Sequence, residues 1–227
     1  MAMAYSLLDI FVNLYTSYEE FNNDLEKKVL ERTSQIERLN GYLKDLAEHD
    51  GLTGVYNRRF FNEYFEIEMK RAKNYLEHKA QLEPNGENEM NFCLAFIDVD
   101  QLKLINDTYG HLAGDNVLKQ VTEIIAGYIF TRDVLCRYGG DEFVVLLTKT
   151  SSGRVLQAAE KIRKEIEDHE FVFDEIHTRQ HITVSIGLAD FGEVPDEDSE
   201  KILKLADDRL LMAKSSGKNR IVYRSQA

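Results

Sequence analysis

The sequence predicts an α+β fold, in which a mixed and mostly antiparallel sheet is flanked by helices and preceded by one long N-terminal helix. Three observations lead there. From Leu7 onward apolar residues recur in alternating steps of four and three; the run from Phe92 to Ile97 is continuously apolar and ends in acids; and a hairpin over residues 133–149 interrupts an alternation of helices and strands.

The long helix comes first. Leu7, Phe11, Leu14, Tyr18, Phe21 and Leu25 form a heptad seam. Lys28, Arg32 and Gln35 occupy the next seam positions while Val29, Ile36 and Leu43 move the stripe one position round, and Leu39, Tyr42 and Leu46 restore it. A proline-free helix over residues 5–48 is roughly 65 Å long at 1.5 Å per residue. A narrow, sustained stripe suits a parallel coiled coil better than a helix folded onto its own domain. The aromatic cluster Tyr5, Phe11, Tyr15 and Tyr18 equally fits a bundle or the docking of another protein. Residues 1–48 are therefore expected to be a helical dimerisation and signalling segment, and residues 49–227 a globular domain.

Asp50-Gly51-Leu52-Thr53-Gly54 breaks the helix, and Asn57 is placed to cap a new one through Phe60, Phe61, Tyr64, Phe65 and Met69. Residues 77–91, with Pro84 and Gly86, read as a helix end and an exposed loop. "FCLAFIDVD" reads as a strand buried on both faces. A helix over about 115–129, the hairpin, a helix over 153–168, a strand over 181–189, a helix over 198–214 and a short strand over 220–224 follow.

Charge narrows the partners. With 28 Lys plus Arg against 40 Asp plus Glu in 227 residues, the net charge of -12 opposes broad binding to nucleic acid or to an anionic membrane. An anionic substrate then requires local basic residues. The two cysteines, Cys93 and Cys136, lie in apolar strand-like runs, which suits a reducing compartment. No apolar run approaches the roughly 20 residues that span a bilayer, and no basic leader precedes the first apolar stretch. The expectation is a cytoplasmic protein without membrane insertion.

Acids mark the ends of two strands. Asp98 and Asp100 flank Val99 at the end of the first long strand, and Asp141 and Glu142 sit at the hairpin tip. Paired side by side, these strands would bring three or four carboxylates to one sheet edge. Such a group repels itself unless a hard cation such as Mg²⁺ or Mn²⁺ lies between, with the Val99 carbonyl a natural extra ligand. Gly139 and Gly140 suit an ordinary hairpin turn with positive φ, and they also leave room for a phosphate. Between the acid clusters, Lys103 is placed to neutralise phosphate. Asn106 and Asp115 have the donors and acceptors to read a guanine edge, although Asn106 also suits a turn and Asp115 a helix N-cap. His111 has no second histidine at a metal-ligand spacing and reads as structural.

"HDGLTGVYNRR", "DVDQLKLINDTYGHLAGD", "RYGGDEF", "SIGLA" and "ADDRLLMAKSSGKNR" resemble, in order and spacing, the motifs of the GGDEF-domain diguanylate cyclases over about residues 49–224. The resemblance implies a palm-like nucleotidyl-cyclase domain that condenses two GTP into cyclic di-GMP and two pyrophosphates across a homodimer. It implies Asp98, the Val99 carbonyl and Asp141 as ligands of Mg²⁺ or Mn²⁺, with two ions per site. Asp141 is also the implied base, Glu142 an essential acid and Lys103 the transition-state lysine. Asn106 and Asp115 correspond to guanine readers, Gly139 and Gly140 to the substrate-binding turn, and Lys214 and Lys218 to phosphate contacts.

Three departures stand out. The family's product-inhibition motif, Arg-x-x-Asp, would need arginine where Phe130 accompanies Asp133, so product inhibition by that route is expected to be weak or absent. Leu102 and Leu211 replace usual aromatics, and the 77–91 loop is long. With no sensory domain read ahead of the globular part, control is expected from a separate regulatory protein on the N-terminal helix. The alternative reading is a catalytically silent sensor that binds GTP or cyclic di-GMP. No metal ligand, base or guanine reader is missing, which argues against it.

Overall fold

A computed structural model describes residues 2–82, 92–172, 179–194 and 198–224. The chain divides into two compact units, residues 1–47 and 48–227. The first is the helix α1 (Ala2–Glu48), unbroken through Gly41. Lys28 pairs with Asp24 one turn earlier at 2.5 Å, the favourable order of charges along a helix. Phe11, Leu14, Tyr18, Phe21, Leu25, Leu39, Tyr42 and Leu46 are all exposed, so its apolar seam faces solvent.

The second unit is built on a six-stranded sheet of β1 (Tyr56–Asn57), β2 (Phe92–Val99), β3 (Val134–Arg137), β4 (Glu142–Thr148), β7 (Val184–Asp190) and β8 (Ile221–Val222). Its order is β1-β3-β4-β2-β7-β8, antiparallel at the centre and parallel in the two outermost pairs. Alternation along β2 explains why that strand reads as a continuous apolar run. Cys93, Ala95, Ile97 and Val99 face one core with Val117, Val121 and Ile125 of α4 (His111–Tyr128) and Ile162 and Ile166 of α5 (Ser152–Asp168). Phe92, Leu94 and Phe96 face another with Phe61, Phe65 and Met69 of α2 (Arg58–Leu82) and Ile202, Ala206 and Leu210 of α6 (Ser199–Ser215). The sheet is thus covered on both faces, as its sequence requires.

Local chemistry sets the boundaries. Asn57 caps α2, its side-chain oxygen accepting from the Phe60 N–H at 3.0 Å. Gly187 lets α6 lie against β7: a Cβ there would come within 2.1 Å of the Ala206 carbonyl oxygen and 2.4 Å of the Leu210 nitrogen. The motif "SIGLA" therefore contains a packing constraint. Arg209, buried on α6, donates to the Leu188 carbonyl at 2.6 Å and pairs with Glu193 of the 3-10 helix Phe191–Glu193.

Some expectations are corrected. The helix expected from about 115 starts at His111 and is preceded by α3 (Leu102–Tyr109) inside the segment read as a connection. Gly110, at φ 88, makes the corner between them, a conformation glycine adopts without strain. Helix α2 continues to Leu82, and the rest of the expected loop, residues 83–91, lies outside the described residues. A two-stranded ribbon of β5 (Phe171–Val172) and β6 (Arg179–Gln180) stands beside the expected elements. Among the described residues, no helix is long and apolar enough to cross a membrane.

Candidate active site

Register places the acids. Antiparallel pairing of β2 with β4 sets Asp98 opposite Glu142, and the Val99 N–H donates to the Asp141 carbonyl at 3.1 Å. The two acidic strand ends therefore meet at one sheet edge. Lys214, in the last turn of α6, reaches the same place and holds the buried Asp98 carboxylate at 2.7 Å. Burial pushes the Asp98 carboxyl up to about 6, opposed by the Lys214 hydrogen bond and reinforced by the charge of Asp141 and, less, of Asp100.

The donors fit a hard divalent ion. Asp98 and Asp141 supply carboxylate oxygens close enough to repel each other, and the Lys214 ammonium already stands as a cation against one of them. Among the described residues, no three His, Cys, Asp or Glu side chains group in metal-holding geometry. Two carboxylates and the Val99 carbonyl would leave positions for water and phosphate oxygens, the arrangement Mg²⁺ favours.

Asp100 does not join the acids. Its carboxylate accepts from Thr183 at 2.7 Å, Ser185 at 2.8 Å and the Asn219 N–H at 3.1 Å, which uses it as an anchor. What it anchors is the turn after α6, where Gly217, Lys218 and Asn219 all have positive φ. Asn219 also contacts Arg163 and Glu167 of α5, at 2.7 and 2.6 Å. Lys218 is held in this tethered turn beside the end of β2, where a phosphate contact is expected.

The glycine turn is built for space. Tyr138 and Gly139 both donate to the Glu142 carbonyl, at 2.8 and 3.2 Å. The positive φ expected of Gly139 and Gly140 is not observed; among the described glycines it falls at Gly54, Gly110 and Gly217. A Cβ on Gly139 would lie 2.5 Å from the Glu142 carboxylate, whereas one on Gly140 would meet nothing within 4 Å. Gly139 makes room for Glu142, and Gly140 leaves its side of the turn open.

Helix α3 carries Lys103, exposed in its first turn, and Asn106 one turn later, while Asp115 lies inside α4 and does not cap it. Asn106 packs against α4 at Gly114, whose missing side chain leaves the space that its carboxamide fills.

A second layer of side chains braces the turn. Arg137 donates twice to the Gly140 carbonyl, at 3.2 and 2.8 Å, and once to Asp50 at 3.1 Å. Asp50 in turn accepts from the N–H and hydroxyl of Thr53, at 2.9 and 2.7 Å. The segments "HDGLTG" and "RYGG" are thus joined by one guanidinium. Side chains flanking a motif in sequence carried no signal of that contact.

At the place of the product-inhibition motif, the Asp133 carboxylate accepts from the main-chain N–H groups of Phe130 and Thr148, at 2.8 and 2.9 Å. Phe130 lies under the guanidinium groups of Arg132 and Arg154, at 4.8 and 5.2 Å from its ring centre. The acid is committed to backbone, and an aromatic ring replaces the arginine.

Residues 47–220 match the family described as "Diguanylate cyclase, GGDEF domain". Diguanylate cyclase A of Treponema denticola is 32% identical over 201 residues, covering 87% of this chain and 51% of that protein. The response regulator PleD of Caulobacter vibrioides is 34% identical over 198 residues, covering 83% and 40%. The chain thus spans about half or less of these relatives' lengths. The coiled coil and GGDEF domain of DgcB from Caulobacter crescentus, solved with c-di-GMP, superposes with a TM-score of 0.74 at 28% identity, covering 87% of this chain and 98% of that one. The diguanylate cyclase SiaD of Pseudomonas aeruginosa, solved with its activator SiaC, gives 0.68 at 27% identity, covering 97% and 80%. With its motifs in register on the matching sheet, the chain belongs to the GGDEF diguanylate cyclase family.

Proposed function

We propose that this chain is a diguanylate cyclase that joins two GTP molecules into cyclic di-GMP and releases two pyrophosphates. The observation that carries the reading is the meeting of Asp98 and Asp141 at one sheet edge, with Lys214 against Asp98. A sensor of cyclic di-GMP alone would not need this convergence of acids and cation.

Asn106 and Asp115 take the guanine edge, and Lys103, Lys214 and Lys218 offset triphosphate charge. The open face of Gly140 lets phosphate approach the main chain. Mg²⁺ or Mn²⁺, two per site, bound by Asp98, Asp141 and the Val99 carbonyl, would polarise the phosphoryl oxygens and stabilise the entering and leaving oxygens. Asp141 accepts the proton of the 3′-hydroxyl, whose oxygen attacks the α-phosphorus of the other GTP as pyrophosphate leaves. Glu142 completes the acidic turn. The reciprocal attack closes the ring, so two bonds form and two pyrophosphates depart.

Each domain holds one GTP, so reaction needs two domains face to face. The exposed seam of α1 supports a parallel coiled-coil homodimer that raises the effective concentration of one half-site at the other. Its interruption at Lys28, Arg32 and Gln35 offers a place where a regulatory protein shifts the pairing, and an activator bound to the similar SiaD supports such control. Incubation with GTP and Mg²⁺ followed by nucleotide separation tests the activity. Cyclic di-GMP and pyrophosphate are expected in a ratio of one to two; GTP binding without turnover would instead establish the sensor.

A further inference from the structure

We propose that Gly114 is a positioning residue for guanine selection, acting only through the carboxamide of Asn106. This rests on the reading of Asn106 as a guanine contact. Gly114 is buried at the end of the first turn of α4, inside the helix, where glycine is an unfavourable residue and its φ is not positive. Backbone conformation therefore does not require glycine here. Space does. A Cβ at this position would lie 1.9 Å from Asn106 Oδ1, 2.9 Å from Cγ and 3.3 Å from Nδ2, so the three nearest atoms all belong to that one side chain.

The backbone of Asn106 is not free to retreat. Its carbonyl accepts from the Gly110 N–H at 2.9 Å, and its neighbour Ile105 is buried in the core. A methyl group at 114 would be relieved by rotating the Asn106 carboxamide out of its notch. Asp115, the other guanine reader, follows directly in α4, so the notch fixes one reader beside the element that carries the other. An alanine should therefore disturb base recognition while favouring the helix.

The test is a double-mutant cycle in the whole chain: wild type, Gly114→Ala, Asn106→Ala and the double variant, each measured for kcat, KM for GTP and melting temperature. Gly114→Ala should raise KM about tenfold, the loss of roughly one hydrogen bond to the base. Its kcat should change much less, and its melting temperature should equal or exceed that of wild type. The double variant should be no worse than Asn106→Ala alone. A wild-type KM in Gly114→Ala, a wild-type KM in Asn106→Ala, or a double variant showing the product of the two losses would each overturn the proposal. Calorimetric affinity for an α-thio analogue of GTP, measured in the same four proteins, reads the effect without turnover. Failure of the proposed activity is thereby distinguished from failure of this inference.

Discussion

The Arg137 guanidinium braces the glycine turn against a distant part of the chain. Three hydrogen bonds tie the Gly140 carbonyl to Asp50, and through it to the Thr53 turn. Burial raises the Asp50 carboxyl, but bonds from Thr53 and Arg137 outweigh that and hold it below its usual value. Arg137→Ala should lower kcat about a hundredfold through misplacement of the turn, and Arg137→Lys should recover part of it. An Arg137→Ala enzyme with unchanged kcat would leave the guanidinium a merely local brace. At Phe130 and Asp133, cyclic di-GMP titrated into an initial-rate assay should leave the rate unchanged in the low-micromolar range. Inhibition there, lost in Asp133→Ala, would contradict that. The acids of the site were legible in the sequence because they punctuate strands. Asp100, read among those acids, is instead an anchor for Thr183, Ser185 and Asn219, and the roles of Asp50, Gly114 and Arg137 left no mark in the sequence, because all of these arise from contacts between distant parts of the chain, such as the 87 residues separating Asp50 from Arg137.

At the level of elements, α6 brings Lys214 to the acids, and its seating on β7 is held by Gly187 and the Arg209–Glu193 pair. Gly187→Ala sets a methyl group against helix backbone and should destabilise the fold by about 3 kcal/mol, measured by denaturant unfolding. Glu193→Gln strands a buried guanidinium and should cost about 3 kcal/mol near neutral pH. Burial raises the Glu193 carboxyl, but the bond from Arg209 and the Asp190 N–H outweigh it, so its folded value lies below 4.5. Its contribution is therefore present above 4.5 and lost as pH falls through the depressed value. The melting-temperature gap between wild type and Glu193→Gln should close on acidification below that point; a constant gap would show that charge is not what the pair contributes. Helices α2, α5 and α6 were legible from their helical patterning, and strand β2 from a continuous apolar run buried on both faces. Helix α3 was not legible, since eight residues with only Leu102 and Ile105 buried scarcely register a period, and neither were the two-residue strands β5 and β6.

For the whole molecule, a helix with an exposed heptad seam precedes a domain that, on the proposed function, carries half of a reaction. Removing residues 1–45 should lower turnover most at low enzyme concentration and restore part of it at high concentration, since the deletion removes the tether and leaves the half-sites. Undiminished turnover in dilute solution would sink the role given to α1. On the proposed function, the turn Gly139 to Glu142, set against Asp98, carries out nucleotidyl transfer, joining the α-phosphorus of one GTP to the 3′-oxygen of another as pyrophosphate leaves. This is tested most directly by incubating wild type and Asp141→Asn side by side with GTP and Mg²⁺ and quantifying cyclic di-GMP. Product from wild type and a loss of at least about a hundredfold in the variant are predicted, as for removal of both a ligand and a base; equal product from the two proteins would contradict the account.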